Sequence, residues 1–418
     1  MGIESVSRRV VKTIVATSLF ALVAAPAATQ QNQQVFPPIA RYTVDAGTMS
    51  GMAAMAGGGM SAMAMMRGGP PSAAHELYLR IGSTRSPTGA PTAGHFMPAG
   101  AQLGESVDLV TPTPRPSEEH RPEGELPTGR LLIYWGCGPH AGAGQPVVID
   151  FAKVARGQIP PGLYMNAMHV PGEWEITQAN STTYGEWPNA RDNKAVRPGS
   201  SLLGAHRIAS SYAPEINFTL AQDFMPALNA RTAEQPGGSI MLNWNGLAPA
   251  TGYYAWAFSA KSRGRGQPQE LVWWASSAQQ AFGGPLWTWL SPAAVRQLVQ
   301  QRTVMPPSQT RCEIPAEFRQ SAGTDPIMGS VYAYGPEQHF AYPPRPANVR
   351  EPWRPDWTAR VRFRSNTMFM VGMDMPGMSG GAGAGAAANG EGEQQQQPRK
   401  PRCRGLSGIA QRAAGLCE

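Results

Sequence analysis

Apolar and polar positions alternate with a period of two over much of this chain, the pattern of strands that bury one face. The clearest instance is residues 238–278, GSIMLNWNGLAPATGYYAWAFSAKSRGRGQPQELVWWASSA, with apolar and aromatic runs at 240–244, 253–258 and 271–275. Asn245-Gly246 and Pro249 to Gly252 supply turn chemistry between the first two runs, because Gly tolerates positive φ and Pro presets its own. A loop with Lys261, Arg263 and Arg265 follows the second. The three runs predict a meander. Further strands are predicted at 39–44, 77–81, 107–110, 130–135, 146–154, 202–209, 215–220, 311–314, 330–334 and 358–365. Helical grammar is clear at 292–302: Ser291 as N-cap, Pro292 in the first turn, and Val295, Leu298 and Val299 on one stripe.

The fold class that follows is mainly β, with two β-sandwich-like domains at 39–156 and 201–376. An irregular linker, 157–200, joins them; a linker at 28–38 precedes them. A low-complexity tail, 377–418, follows and ends in a short amphipathic helix with Leu406, Ile409, Ala413 and Leu416. Residues 49–69, MSGMAAMAGGGMSAMAMMRGG, have no β-branched or aromatic residue and much Gly, and read as a flexible loop inserted in the first domain. The Trp-ending run, ATGYYAWAF and LVWW resemble part of a fibronectin type III or immunoglobulin-like sandwich. That resemblance implies an architecture and no activity. LLIYWGCG, GQPVVIDFAK, ATGYYAWAF and LVWWASS resemble exported proteins of alpha-proteobacteria, which implies export and a bacterial source but transfers no catalytic or binding residue.

Composition agrees with an exported chain. Residues 1–27 have the form of a signal peptide: Arg8, Arg9 and Lys12, an apolar stretch from Ile14 to Ala25, and Ala25-Pro26-Ala27 as a small-residue cleavage site. Ser7-Arg8-Arg9 also fits the start of a twin-arginine signal, so the export route stays open. No later run reaches the length that spans a bilayer, so no transmembrane segment is expected after cleavage. The address implied is the periplasm or cell envelope of a Gram-negative bacterium. Net charge is +7. Arg360, Arg362 and Arg364 alternate with Ala359, Val361 and Phe363, which places three guanidinium groups on one strand face. Such a face is either solvated or meets an envelope macromolecule or anionic envelope polymer; nucleic acid is not expected as a partner outside the cytosol.

Candidate chemistry is sparse. Cys137, Cys312, Cys403 and Cys417 allow three disulfide pairings. Proximity favours Cys403 with Cys417, leaving Cys137 and Cys312 to bridge the two domains. Met49, Met52, Met55, Met60, Met63, Met65 and Met66 form one methionine cluster, and Met368, Met370, Met373, Met375 and Met378 a second. Thioethers are soft ligands that select Cu(I) and Ag(I), and the second cluster resembles the Met-rich motifs of periplasmic copper-resistance proteins; adaptable apolar filler is the alternative. Trp174, Trp187, Trp287 and Trp289 fall in predicted loops or strand ends, where flat rings could stack on glycans. His75-Glu76 begins a zinc-protease motif that Leu79 breaks, and the glycine-rich segment after Trp135 leads into a strand and not the helix a phosphate loop needs. The expectation is therefore a non-catalytic envelope binding or structural protein, with Cu(I) binding, glycan binding and hydrolysis at an unrecognised site as alternatives.

Overall fold

The computed structural model describes residues 33–56, 73–113, 129–156, 158, 175–261, 269–280 and 284–372. The protein is mainly β. Its largest sheet has nine strands in the order β6 (Val147–Asp150), β5 (Gly129–Trp135), β13 (Gln269–Ala275), β12 (Gly252–Lys261), β15 (Ile327–Tyr342), β16 (Trp357–Met370), β1 (Ala40–Gly51), β2 (Ala74–Ser83) and β7 (Thr183–Trp187). A four-stranded sheet runs β4 (Ser106–Asp108), β3 (Ala93–Phe96), β8 (Gly204–Ser210) and β9 (Ile216–Leu220). A three-stranded sheet runs β10 (Ala230–Glu234), β11 (Ile240–Trp244) and β14 (Arg311–Ile314).

Alternation decides the layers. One face of the long sheet carries Tyr42, Val44, Leu79, Val331, Val361 and Phe363, which share a continuous core with Ile208, Ile216 and Phe218 of the four-stranded sheet and Ile240, Leu242 and Ile314 of the three-stranded one. The opposite face, over β12, β13, β15 and β5, holds a second core of Tyr254, Trp256, Phe258, Trp273, Tyr332 and Tyr334. Helix α3 (Pro292–Gln300) is part of that core through Val295 and Leu298. The Ser291 hydroxyl accepts from the Ala294 amide at 3.1 Å, so the cap read from the sequence is present, and the helix ends two residues before the predicted limit of 302. Helices α1 (Met52–Ala56), α2 (Phe151–Ala155) and α4 (Ala316–Ala322) are short.

Several expectations change. Run 240–244 is β11, but it does not continue a meander with β12; it crosses to the three-stranded sheet, where Trp244 meets Tyr253 of β12 ring to ring at 5.5 Å. The reason is burial: Ile240, Leu242 and Trp244 are better covered face to face with the long sheet than hydrogen-bonded at its side. Strands of both predicted domains interleave in the long sheet, since β1 pairs with β16 and β5 with β13, so 39–156 and 201–376 are not separate sandwiches. β7 lies inside the predicted linker 157–200, and Met49, placed in a loop by the sequence, belongs to β1 with Met52 opening α1. The run 146–154 stops being a strand at Asp150, whose carboxylate accepts from the Ala152 and Lys153 amides and starts α2. No helix among the described residues is long and apolar enough to cross a membrane.

Cys137, just past β5, is bonded to Cys312 of β14, with Cα atoms 5.0 Å apart. Main-chain bonds flank it: Gly138 N–H donates to Glu313 O at 2.8 Å and Ala316 N–H to Pro139 O at 3.0 Å. The crosslink thus ties the long sheet to the three-stranded sheet; Cys403 and Cys417 lie outside the described residues. It closes a loop of 175 residues, which removes many conformations from the unfolded chain. Reduction is expected to lower the unfolding free energy by about 2–5 kcal/mol, read as a lower urea midpoint with reductant than without. An unchanged midpoint would show that the bridge is not constraining the chain.

Candidate functional site

The face of the long sheet that carries the aromatic core turns ionic across β16, β1 and β2. Parallel pairing of β1 with β16 sets Thr43 beside Arg360, Asp45 beside Arg362 and Gly47 beside Arg364. On the other side of β1, antiparallel β2 sets Arg80, Tyr78 and Glu76 against the same three positions. Three rows of side chains therefore run across three strands.

Arg362 is the centre. Its Nε and Nη2 donate to the two Asp45 carboxylate oxygens at 2.7 and 2.9 Å, a bidentate pair with side chains 4% and 1% exposed. Its Nη1 reaches Glu175 at 2.7 Å and the Trp289 carbonyl at 3.0 Å. Arg80 donates to Asp45 at 2.9 Å, and Arg360 to Glu175 at 3.2 Å. Burial alone would pull the Arg362 guanidinium below its usual range; Asp45 and then Glu175 reverse this, so its pKa ends raised. Arg364 behaves likewise, with Glu76 as the main compensating charge.

Glu76 reaches Arg364 at 2.8 Å by crossing β1 over Gly47. A Cβ at Gly47 would collide with the Glu76 carboxylate, so glycine here is the opening through which the pair forms. Trp289 closes the row from above. The Arg364 guanidinium lies 3.7 Å from its ring centroid, Tyr78 meets it edge-on at 5.4 Å, and its indole N–H donates to Ala46 O at 3.0 Å. Arg364 also donates to the Trp287 carbonyl.

A second polar cluster sits between the long and four-stranded sheets. Tyr42 Oη is 2.7 Å from His95 Nδ1, His95 Nε2 is 2.9 Å from His206 Nδ1, and His206 Nε2 is 2.7 Å from Leu202 O. The Leu202 carbonyl can only accept, so His206 Nε2 carries hydrogen, and its Nδ1 must accept from His95 Nε2–H. His95 Nδ1 then accepts from the Tyr42 hydroxyl. Both rings are neutral and every ring nitrogen is committed. Burial lowers both pKa values, that of His95 most strongly, with His206 lowering it further.

A cavity of about 440 Å³ opens on the outer side of β3, β8 and β9. Phe96, Met97, Ala205, Arg207, Asn217 and Thr219 line it together with His206 and Phe218. Arg207 lies 3.9 Å from the Phe96 ring centroid and 3.3 Å from the Glu215 carboxylate. His206 contributes no free nitrogen here, so the cavity offers ring faces and amide or guanidinium donors but no histidine base.

The other predicted site residues are dispersed. Trp187, in β7, is 1% exposed and cannot offer a face to a sugar. Trp287 and Trp289 are half-buried; Trp287 is tilted against Trp256 and Trp273, and Trp289 holds Arg364. Trp174 lies outside the described residues. The three arginines share a face as expected, but that face is buried and ion-paired, so it is neither solvated nor open to an anionic polymer. His75 stacks on Phe224 at 4.0 Å and bonds the Pro198 carbonyl, and Glu76 serves Arg364. Among the described residues no three His, Cys, Asp or Glu side chains are placed to share a metal ion. Of the methionines, Met49, Met368 and Met370 lie in strands and Met52 and Met55 in α1; Met60, Met63, Met65, Met66, Met373, Met375 and Met378 lie outside the described residues. The sequence reading missed Asp45, Glu76 and Glu175 as partners of the arginines, and the histidine pair.

Asp45→Ala leaves a buried guanidinium uncompensated and is expected to cost about 3–5 kcal/mol by urea denaturation, with Gly47→Ala costing about 1–3 kcal/mol through the Glu76 clash. A loss below about 1 kcal/mol for Asp45→Ala would show that the pair is not buried as described. The histidines predict a pH dependence. Their folded pKa values lie below the unfolded value near 6.5, so their contribution is complete above pH 6.5 and is lost as pH falls below it toward the folded values. Stability should fall by up to about 1.4 kcal/mol per pH unit for each ring between pH 6.5 and 5, and His206→Gln, whose amide both accepts and donates, should reduce that slope.

Comparison with protein-family models finds none that matches the chain, and comparison with curated proteins finds no match either.

Proposed function

We propose that this is an exported protein of the Gram-negative cell envelope that acts by binding an envelope macromolecule and not by turnover. The observation that carries the reading is the Cys137–Cys312 bridge, which joins two sheets across 175 residues and requires an oxidising compartment to persist. The leader-like segment 1–27 supports the same address. Binding over catalysis is supported by how the ionisable groups are used. The buried arginines are neutralised by Asp45, Glu76 and Glu175, and His95 and His206 have no nitrogen left to take a proton from a substrate.

An anionic polymer is the weaker partner within this reading, because the three arginines that suggested it face inward. A glycan platform made of Trp187, Trp287 and Trp289 is weaker still, because these rings are buried or engaged.

The test is expression of the full chain in a Gram-negative host, with and without residues 1–27, followed by fractionation, N-terminal mass determination and thiol labelling. The expected outcome is a processed periplasmic protein in which Cys137 and Cys312 resist labelling until reduced. Intact leader on a cytosolic protein with reactive thiols would overturn the reading.

A further inference from the structure

The two methionine-rich stretches are far apart in sequence, yet the strands that carry Met49 and Met368, one from each, are neighbours in one sheet. β1 and β16 are parallel neighbours, so Gly51 at the end of β1 stands beside Met368, and Met49 beside Asn366. β15 runs antiparallel to β16 on its other side, which sets Met328 directly across from Met370 and Ser330 across from Met368. Met328 stands apart from the clusters in the chain; the register counts it with them.

Strand alternation then fixes the face. Met368 and Met370 follow Arg362, Arg364 and Asn366 at steps of two along β16, with no irregularity in the pairing from Arg364 onward. Met49 follows Asp45 and Gly47 in the same way on β1, and Met328 precedes Tyr332 and Tyr334 on β15. Phe369 belongs to the core on the opposite face, while Met328 packs against the aromatic core. Four thioethers from three adjacent strands therefore share one face at one end of the sheet. Met52 stands just beyond, at the start of α1, which packs against β1 and β16. Met328 and Met370 are directly opposed, which sets their Cβ atoms about 4.5–5.5 Å apart, and Met368 lies two residues before Met370 on the same face, so three torsions per methionine suffice to converge these three sulfur atoms on one point; Met49, beside Asn366, lies two rows away.

We propose that Met328, Met368 and Met370 form a thioether site for a soft monovalent cation, Cu(I) or Ag(I). Thioethers are neutral and polarizable, do not oxidise to disulfides, and discriminate against Mg²⁺, Ca²⁺ and Zn²⁺, which take oxygen, nitrogen or thiolate. Apolar filler alone explains a methionine at one such position. It does not explain why seven methionines in 49–66 and five in 368–378, of 20 in the chain, belong to segments whose strands meet at this end. Two of the three, Met328 and Met370, are only half-buried, so an ion can reach them. The site is independent of the address proposed above, because its binding is measured on purified protein.

The experiment is anaerobic titration of the purified full chain with Cu(I) against a chromophoric Cu(I) chelator, repeated with Ag(I) as competitor. The expected result is one ion held with sub-micromolar affinity, displaced by Ag(I), and at least tenfold weaker in Met328→Leu with Met370→Leu. Leucine keeps the volume, so this variant should fold, which circular dichroism checks. Met97→Leu, at the cavity of the four-stranded sheet, should leave affinity unchanged. X-ray absorption of the Cu(I) protein, which needs no variant, should show a sulfur-only first shell. Affinity no better than micromolar, a nitrogen or oxygen shell, or full affinity in the Met328/Met370 variant would each overturn the proposal.

Discussion

The parallel ladder between β1 and β16 is the constraint on which the rest of the architecture depends. It joins two segments more than 300 residues apart in the chain, and both strands are flanked on their other sides, by β2 and β15. A parallel pair buried on both faces would normally be a run of Val, Ile and Leu. Here one face keeps that character, with Val44, Val361 and Phe363, and the other is ionic. A slip of one residue would put Arg362 into the apolar core and Val361 against carboxylates, so the charges make the register far more costly to misplace than an apolar strand would. Whether the ion pairs add net stability matters less than the fact that they permit one pairing only.

That ionic row also organises what lies above it. Trp289 and the carbonyls of residues 287 and 289 are held down by Arg362 and Arg364, and helix α3 begins directly after this segment. Its Val295 and Leu298 then complete the aromatic core with Trp256, Trp273 and Tyr334. One face of one sheet thus passes from guanidinium and carboxylate pairs to stacked indoles, with Tyr332 and Tyr334 of β15 as the boundary. The opposite face is largely apolar; it holds the neutral Tyr42, His95 and His206 chain where the four-stranded sheet meets it, and the hydroxyls of Thr48 and Ser50, which donate to the Met225 and Leu228 carbonyls. The buried ion pairs of Asp45 with Arg362 and of Glu76 with Arg364 are set by the register of β1, β2 and β16.

Much of the local structure was legible in the chain. Period-two alternation located β5, β8, β9, β11 and β14 to within a few residues, and Ser291-Pro292 marked the start of α3, because these signals depend only on neighbours in sequence. The candidate site was half legible: RVRFR announced three cations on one face, but the single acid Asp45 in β1 gave no sign of being their partner. What the chain could not announce was that these two stretches lie side by side, since nothing in either one encodes its neighbour. For the same reason the arginines read as exposed, when burial is set by what covers a strand.

The sequence by itself determined a β-rich chain with its strands, its turns and its two concentrations of methionine, all properties of short windows. The tertiary structure alone decided that strands from both halves share a nine-stranded sheet, that Cys137 pairs with Cys312, that Gly47 is the gap through which Glu76 meets Arg364, and that Met328 stands across from Met370. The physical reason is that pairing partners in a sheet are chosen by the complementarity of whole faces. That choice is made between segments hundreds of residues apart, where no local periodicity reaches.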